Sequence, residues 1–184
     1  MQQPAPTVQT DPIRAVTEAD LPFLQAIEIR AGVPFAEIGM IEVAEDDPPE
    51  LETLRAFAAA GRAWAWPGPD GVPVAYLVLA VVDGQAHVEQ VSVDPAHAGR
   101  RIGKRLLDRA ARWALAHGCE ALTLTTFTEV PWNGPYYERL GFTFLDPDRE
   151  TPGLRAIRAA ETGHGLDRWP RACMRAELSE WRWS

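Results

Sequence analysis

Val91-Ser-Val-Asp-Pro-Ala-His-Ala-Gly-Arg-Arg-Ile-Gly-Lys-Arg-Leu-Leu107 is the stretch around which the rest of the chain is read. It predicts a strand that stops at Asp94-Pro95, a short loop holding Gly99 and Gly103, and a helix leaving with Leu106 and Leu107. Two glycines let main-chain N–H groups approach a ligand closely, and a helix start adds partial positive charge. Of the chain's 18 basic residues, six lie between Arg100 and Arg112 (Arg100, Arg101, Lys104, Arg105, Arg109, Arg112), opposed only by Asp108. N–H donors at a basic helix start suit a phosphate or pyrophosphate.

Upstream, Ile13 to Val16 reads as a first strand, and Thr17 as the N-cap of a helix through about Arg30, with Leu21, Leu24, Ile27 and Ala31 at helical spacing. Gly32-Val33-Pro34 is expected to end it. Phe35 to Met40 is open between a short helix and a loop, and a further helix is expected around Glu50 to Ala60, closed by Gly61. Ala63 to Trp66 and Val72 to Val82 flank a Pro-Gly-rich turn, and Asp83-Gly84 turns the chain into His87 to Val93, giving three antiparallel strands in succession. Downstream, a helix from Ile102 to about His117 is stopped by Gly118. The strand Glu120 to Thr126 follows, and strand–helix–strand implies a right-handed crossover and a parallel pair. A short helix near Pro135 to Leu140, a strand Phe142 to Leu145, a helical turn near Leu154 to Ala160 and a last strand Ala172 to Leu178 complete the reading. No repeat and no dividing linker is visible.

A chain of 184 residues with 46% hydrophobic and 24% charged residues is expected to form one globular domain, here over 12–178, with a disordered leader at 1–11 and a tail at 179–184. The net charge of −8 argues against a general nucleic-acid binder and makes a cationic substrate easier to accommodate. The longest apolar run, Val72 to Val82, is too short for a bilayer, and the N-terminus has no signal-peptide pattern, so a cytoplasmic protein is expected. Cys119 and Cys173 match no metal-ligand spacing and read as reduced core thiols, and the four histidines form no metal pattern.

Three glycine-loop readings compete for the 91–107 stretch. A nucleotide-binding P-loop needs Gly-x-x-x-x-Gly-Lys and a following hydroxyl; here the glycines enclose one residue too few and Arg105 stands in the hydroxyl's place. A dinucleotide fingerprint, Gly-x-Gly-x-x-Gly after a parallel strand, is absent. The third reading fits. Val91-Ser-Val-Asp-Pro with Gly-Arg-Arg-Ile-Gly-Lys-Arg-Leu-Leu, followed by Pro131-Trp-Asn-Gly-Pro-Tyr-Tyr-Glu-Arg-Leu-Gly-Phe142, resembles the acetyl-CoA motif pair of the GNAT N-acetyltransferase superfamily over roughly residues 12–178. Two departures stand out. Ala98, beside His97, occupies a position where the family usually has Arg or Gln, and Arg101 occupies one where it usually has Gly.

The resemblance implies a mixed α/β fold whose mostly antiparallel sheet of about six or seven strands has one splayed parallel pair and flanking helices. It implies acetyl transfer from acetyl-CoA, with no metal, to a small-molecule amine or peptide N-terminus by direct attack in a ternary complex. Nucleic acid and membrane are not expected partners, and a monomer or homodimer is. The main chain of Val91, Ser92 and Val93 is assigned to the pantetheine arm. That of Gly99, Arg100, Arg101, Ile102, Gly103 and Lys104 is assigned to the pyrophosphate, and Asn133 to the cofactor or its loop. Tyr136 and Tyr137 are equally placed by composition, and the motif register selects Tyr137 as proton donor to the departing thiolate. Glu89 is the candidate general base, placed on the face of Val91 and Val93 by period-2 alternation, or else a solvated strand carboxylate. Glu28, Phe35 and Glu37 border the expected acceptor cleft. The alternative activity is a CoA-binding sensor or interaction module without efficient catalysis.

Overall fold

The computed structural model describes residues 12–184, so the expected leader at 1–11 lies outside the described residues. In chain order the elements are β1 (Arg14–Ala15), α1 (Leu21–Glu37), α2 (Ile41–Ala44), α3 (Leu51–Ala59), β2 (Ala63–Pro67), β3 (Pro73–Val82) and β4 (Gln85–Val93). After these come α4 (Ile102–Ala116), β5 (Ala121–Phe127), α5 (Gly134–Arg139), β6 (Thr143–Phe144), α6 (Pro152–Gly163) and β7 (Arg171–Glu177).

Seven strands form one sheet in the order β1-β2-β3-β4-β5-β7-β6. Asp83 (φ 49°) and Gly84 (φ 76°) both take left-handed conformations between β3 and β4, the geometry that a two-residue hairpin requires. Among the described residues only β4 and β5 run parallel, because α4 carries the chain between them. They are paired only at Ala86 with Leu122 and His87 with Thr123, after which the two strands part.

The helices bury opposite faces of this sheet. On one side, Ile102, Leu106, Leu107, Ala110, Ala111 and Ala114 of α4 pack on Leu77, Leu79, Ala86, Val88, Leu122 and Leu124, with Tyr137 and Phe142 closing the cluster. On the other, Leu21, Leu24 and Ile27 of α1 and Leu54 of α3 cover Ala63, Ala65, Tyr76 and Val78. A third cluster of Met40, Phe127 and Val130 joins the end of α1 to the end of β5.

Two expectations are corrected. α1 does not end at Gly32-Val33-Pro34 but runs to Glu37 with Pro34 inside it. Gly32 serves close packing, since a Cβ there would lie 3.0 Å from the Ala44 carbonyl oxygen of α2, and Phe35 anchors the last turn in the third cluster. The turn expected near Leu154 to Ala160 is a 12-residue helix, α6, whose start is capped by Asp83 accepting the Gly153 N–H at 2.7 Å. Sequence proximity could not show that cap, because it comes from the β3–β4 turn.

The 179–184 tail packs onto α4. Asp108, almost fully buried, accepts hydrogen bonds from Trp181 Nε1 (2.8 Å) and the Ser184 N–H (3.1 Å) and pairs with Lys104. Trp181 meets Phe142 edge-on at 5.7 Å. Burial alone would raise the Asp108 carboxyl. The bonds from Lys104, Ser184 and Trp181 together outweigh it and hold the group below the usual range.

Candidate active site

Parting of β4 and β5 leaves main-chain edges unpaired on the inner side of both strands beyond His87 and Thr123. A bulge adds to the opening. Val78 faces Gln90 and Leu79 faces Val88, so Glu89 is an extra residue on β4. The bulge overturns the strict alternation used to place Glu89, because Val88 shares the α4 face with Val91 and Val93. Glu89 thus stands at the fork itself. It is open to solvent over part of its surface, yet desolvation by the surrounding protein, with the Glu161 charge as a second cause, raises its carboxyl.

The α4 start lies just past this fork. Arg105 N–H to the Arg101 carbonyl, at 3.1 Å, is its first helical bond, and no side chain caps the helix, so the N–H groups of Ile102, Gly103 and Lys104 point out of its end. Arg101 holds φ 59° and ψ 17°, a left-handed conformation that costs a residue with a Cβ on the order of 1 kcal/mol. Gly at this position would adopt the conformation freely, so Arg101 is held there at that cost.

The basic cluster of α4 does not act as one phosphate-facing patch. Lys104 lies over Trp181 (4.7 Å to the ring centre), Arg105 over Trp66 (5.3 Å), Arg109 over Trp64 (5.5 Å) and Arg112 over Trp183 (5.3 Å). Lys104 also bonds the Arg182 carbonyl at 2.5 Å. Four of the six cations therefore cover tryptophan rings, leaving Arg100 and Arg101 exposed at the loop. The tryptophans that draw them away come from β2 and the tail, distant in sequence.

On the far side of the fork, Asn133 precedes α5 and its Oδ1 is buried without a hydrogen-bond partner among the described residues. Gly134 is needed beside it, since a Cβ there would come within 2.7 Å of the Thr128 carbonyl oxygen. The two tyrosines diverge. The Tyr136 hydroxyl lies against Gly103, within 3.2 Å of where a Cβ would stand. Tyr137 points into the core, 9% exposed, edge-on to Phe142 at 5.6 Å. Burial, with a smaller effect of Tyr136, raises the Tyr137 phenol well above its ordinary value.

A model of the acetyltransferase (GNAT) family matches residues 27–142, which include the bulge, the α4 loop and the whole of α5. The chain belongs to the GNAT family. Solved structures agree on the fold. A GNAT-family acetyltransferase from Staphylococcus aureus Mu50 superposes with a TM-score of 0.68 at 16% identity, over 90% of this chain and 98% of that one. The PaiA N-acetyltransferase of Thermoplasma acidophilum, in complex with coenzyme A, gives 0.65 at 16% identity over 90% and 97%. The ribosomal-protein-S18-alanine N-acetyltransferase of Escherichia coli gives 0.62 at 18% identity over 90% and 92%.

In this GNAT domain the sheet face opposite α4 carries a cluster of polar side chains that sequence reasoning met only in part. Ser92, grouped with its neighbours in the motif, turns its hydroxyl to this face and donates to Glu28 at 2.6 Å. Tyr76 (2.9 Å) and Gln90 (3.0 Å) also donate to Glu28. Across the fork, Glu161 of α6 accepts from Thr125 (2.5 Å) and Arg171 (2.8 Å) and pairs with Arg158. Phe35 lies 5.4 Å from Trp132 and 5.8 Å from Phe127, which in turn meets Trp169 at 6.3 Å, so these four rings form an aromatic row. Glu37 is exposed at the end of α1 and joins none of these groups. Alternation along β4 would have assigned Ser92 to the Glu28 face. Nothing local marks Glu161, whose partner Thr125 lies 36 residues away.

Among the described residues, no three His, Cys, Asp or Glu side chains converge to hold a metal, and no helix is long and apolar enough to cross a membrane. His87 is buried, bonded through Nδ1 to Thr123 Oγ1 at 2.9 Å, and burial lowers it to about 4.

Proposed function

We propose that this GNAT domain transfers acetyl from acetyl-CoA to a primary amine of a small molecule or a peptide N-terminus, by direct attack in a ternary complex. One observation carries the reading: the β4–β5 fork, with the Glu89 carboxylate at its bulge, leads into the uncapped α4 start, and α5, which holds both tyrosines, closes on that start through Tyr136 against Gly103. The residues fit CoA. Free main-chain edges of Val91, Ser92 and Val93 suit the amides of the pantetheine arm. The N–H groups from Gly99 through Arg100, Arg101, Ile102 and Gly103 to Lys104 suit a pyrophosphate at a helix start. The orphaned Asn133 Oδ1 suits a ligand N–H.

The chemistry needs a neutral amine and a protonated leaving group. Glu89, raised by its surroundings, first takes a proton from the bound ammonium, directly or through water, to give the neutral amine that attacks; the proton the nitrogen sheds after the C–N bond forms passes to solvent or restores the phenol of Tyr137. The amine nitrogen bonds to the thioester carbon, the C–S bond breaks, and Tyr137 gives its proton to the departing sulfur. A raised phenol stays protonated at neutral pH and can serve as that acid. The cysteines suit no acyl-enzyme: both are buried, and burial, then Glu150, pushes the Cys173 thiol up to about 12. Buried free thiols also fit a cytoplasmic protein, acting as a monomer or homodimer.

Thiol release from acetyl-CoA tests this with a panel of monoamines, diamines and peptides bearing free N-termini. Turnover with at least one amine is expected. Tight calorimetric binding of CoA with no turnover on any amine would make the domain a CoA-binding sensor instead.

A further inference from the structure

We infer that Glu28 is the counter-ion for a second positive charge on the acceptor, so that the domain prefers a short alkyl diamine or polyamine to a monoamine. The inference rests on the acetyltransferase reading and extends it to the substrate class. Glu28 lies on α1 over the sheet face opposite α4, so an acceptor held there meets the fork from the side away from the α4 loop. Its carboxylate has three partners, Ser92, Tyr76 and Gln90, and all are neutral donors. A carboxylate offers about four lone-pair sites, so this one is oriented but not saturated.

Among the described residues no cation pairs with Glu28. The neighbouring Arg30 is taken by Asp94 at 2.6 Å. The comparison with Glu161 across the fork is direct, since that carboxylate is matched by Arg171 and Arg158. A mostly buried carboxylate without a cation is costly unless something brings one, and the Asp46 charge adds to the deficit. The approach to it is acidic as well. Residues 42–52 hold Glu42, Glu45, Asp46, Asp47, Glu50 and Glu52 and no basic residue. Arg168 pairs with Glu42 and Arg55 with Glu52. Of the rest, Asp46 lies close enough for its charge to act on Glu28, and it adds to the attraction for a cationic ligand.

Glu28 and the proposed base are linked by adjacency. Gln90, which donates to Glu28, follows Glu89 directly in β4. Glu28 is thus tied, through Gln90, to the strand that carries the proposed base, and a short diamine would set one nitrogen at the fork and the other at Glu28.

The test compares kcat/KM for an n-alkylamine and the α,ω-diamine of equal chain length. The wild type is expected to favour the diamine about tenfold or more, the scale of one charge-assisted hydrogen bond, with the preference shrinking in high salt. Glu28→Gln is expected to collapse that ratio towards one through KM for the diamine, and Glu28→Asp to restore part of it. Equal use of both amines by the wild type would overturn the inference without any variant. So would a Glu28→Gln protein that keeps the ratio while losing thermal stability, which would make Glu28 a clamp between α1 and the sheet. Should no amine turn over, the acetyltransferase reading fails separately. Calorimetry of diaminobutane into the CoA-loaded protein then decides: binding that Glu28→Gln abolishes supports the inference, and absence of binding overturns it.

Discussion

Lowering the pH is expected to strain the fork first at His87, the last β4 residue still paired with β5. Its ring is 2% exposed and lowered from 6.5 to about 4, chiefly by burial, with the Glu161 charge opposing. A depressed histidine binds its proton more readily in the unfolded chain, so stability is fully present above the unfolded value and falls as pH drops towards the folded one. Taking about 6.5 unfolded and about 4 folded, the loss between pH 7.5 and pH 5 is about 2 kcal/mol, rising to about 3 kcal/mol by pH 4. Carboxylates lowered by their partners, such as Asp20 beside Arg14 at about 2, act in a more acidic window. Glu28 and Glu89, both raised, act with the opposite sign. Urea unfolding of wild type and His87→Gln across pH 5 to 7.5 isolates the effect, because glutamine can keep a bond to Thr123 without titrating. The wild-type free energy should fall with acid and the variant's should stay flatter by about that amount. Parallel profiles would refute the assignment of a buried neutral imidazole at the fork.

Asp108→Ala should destabilise by about 3–5 kcal/mol, since it strands Lys104 and the Trp181 N–H in a buried setting; a calorimetric Tm within a degree of wild type would contradict that packing. Arg101→Gly should relieve the left-handed strain and raise stability by about 1 kcal/mol, or roughly 2–4 °C in Tm, with CoA affinity retained. A loss of stability would show that the Arg101 side chain holds the loop. Glu89→Gln should remove the acidic limb of the kcat/KM profile. In the wild type that limb falls as pH drops through a raised carboxyl, whereas an unchanged limb in the variant would assign the base elsewhere.

Local chemistry made much of this molecule legible. Asp83-Gly84 announced its hairpin, Gly118 the end of α4, and the strand–helix–strand succession the parallel pair, because each rests on residues a few positions apart. The same holds for the loop from Gly99 to Lys104 and for α5, whose spacing carried the family. What escaped depends on distant contacts. Period-2 counting misplaced Glu89 because a bulge is invisible to alternation. Pro34 reads locally as a terminator because α2 and the third cluster, which hold the helix past it, lie outside its window. The basic stretch of α4 looked like a phosphate patch because Trp64, Trp66, Trp181 and Trp183, which take up four of its cations, are remote in sequence. Glu161 and Arg171 escaped for the same reason: α6 and β7 meet β5 only in the folded chain.

The most direct test of the account is a paired measurement on Tyr137→Phe: thiol release from acetyl-CoA with the best amine, and the Kd for CoA by calorimetry. Loss of the proton donor should lower kcat by about a hundredfold or more while the Kd stays within about threefold of wild type. Wild-type turnover in Tyr137→Phe would contradict the claim that this phenol protonates the leaving sulfur at the β4–β5 fork.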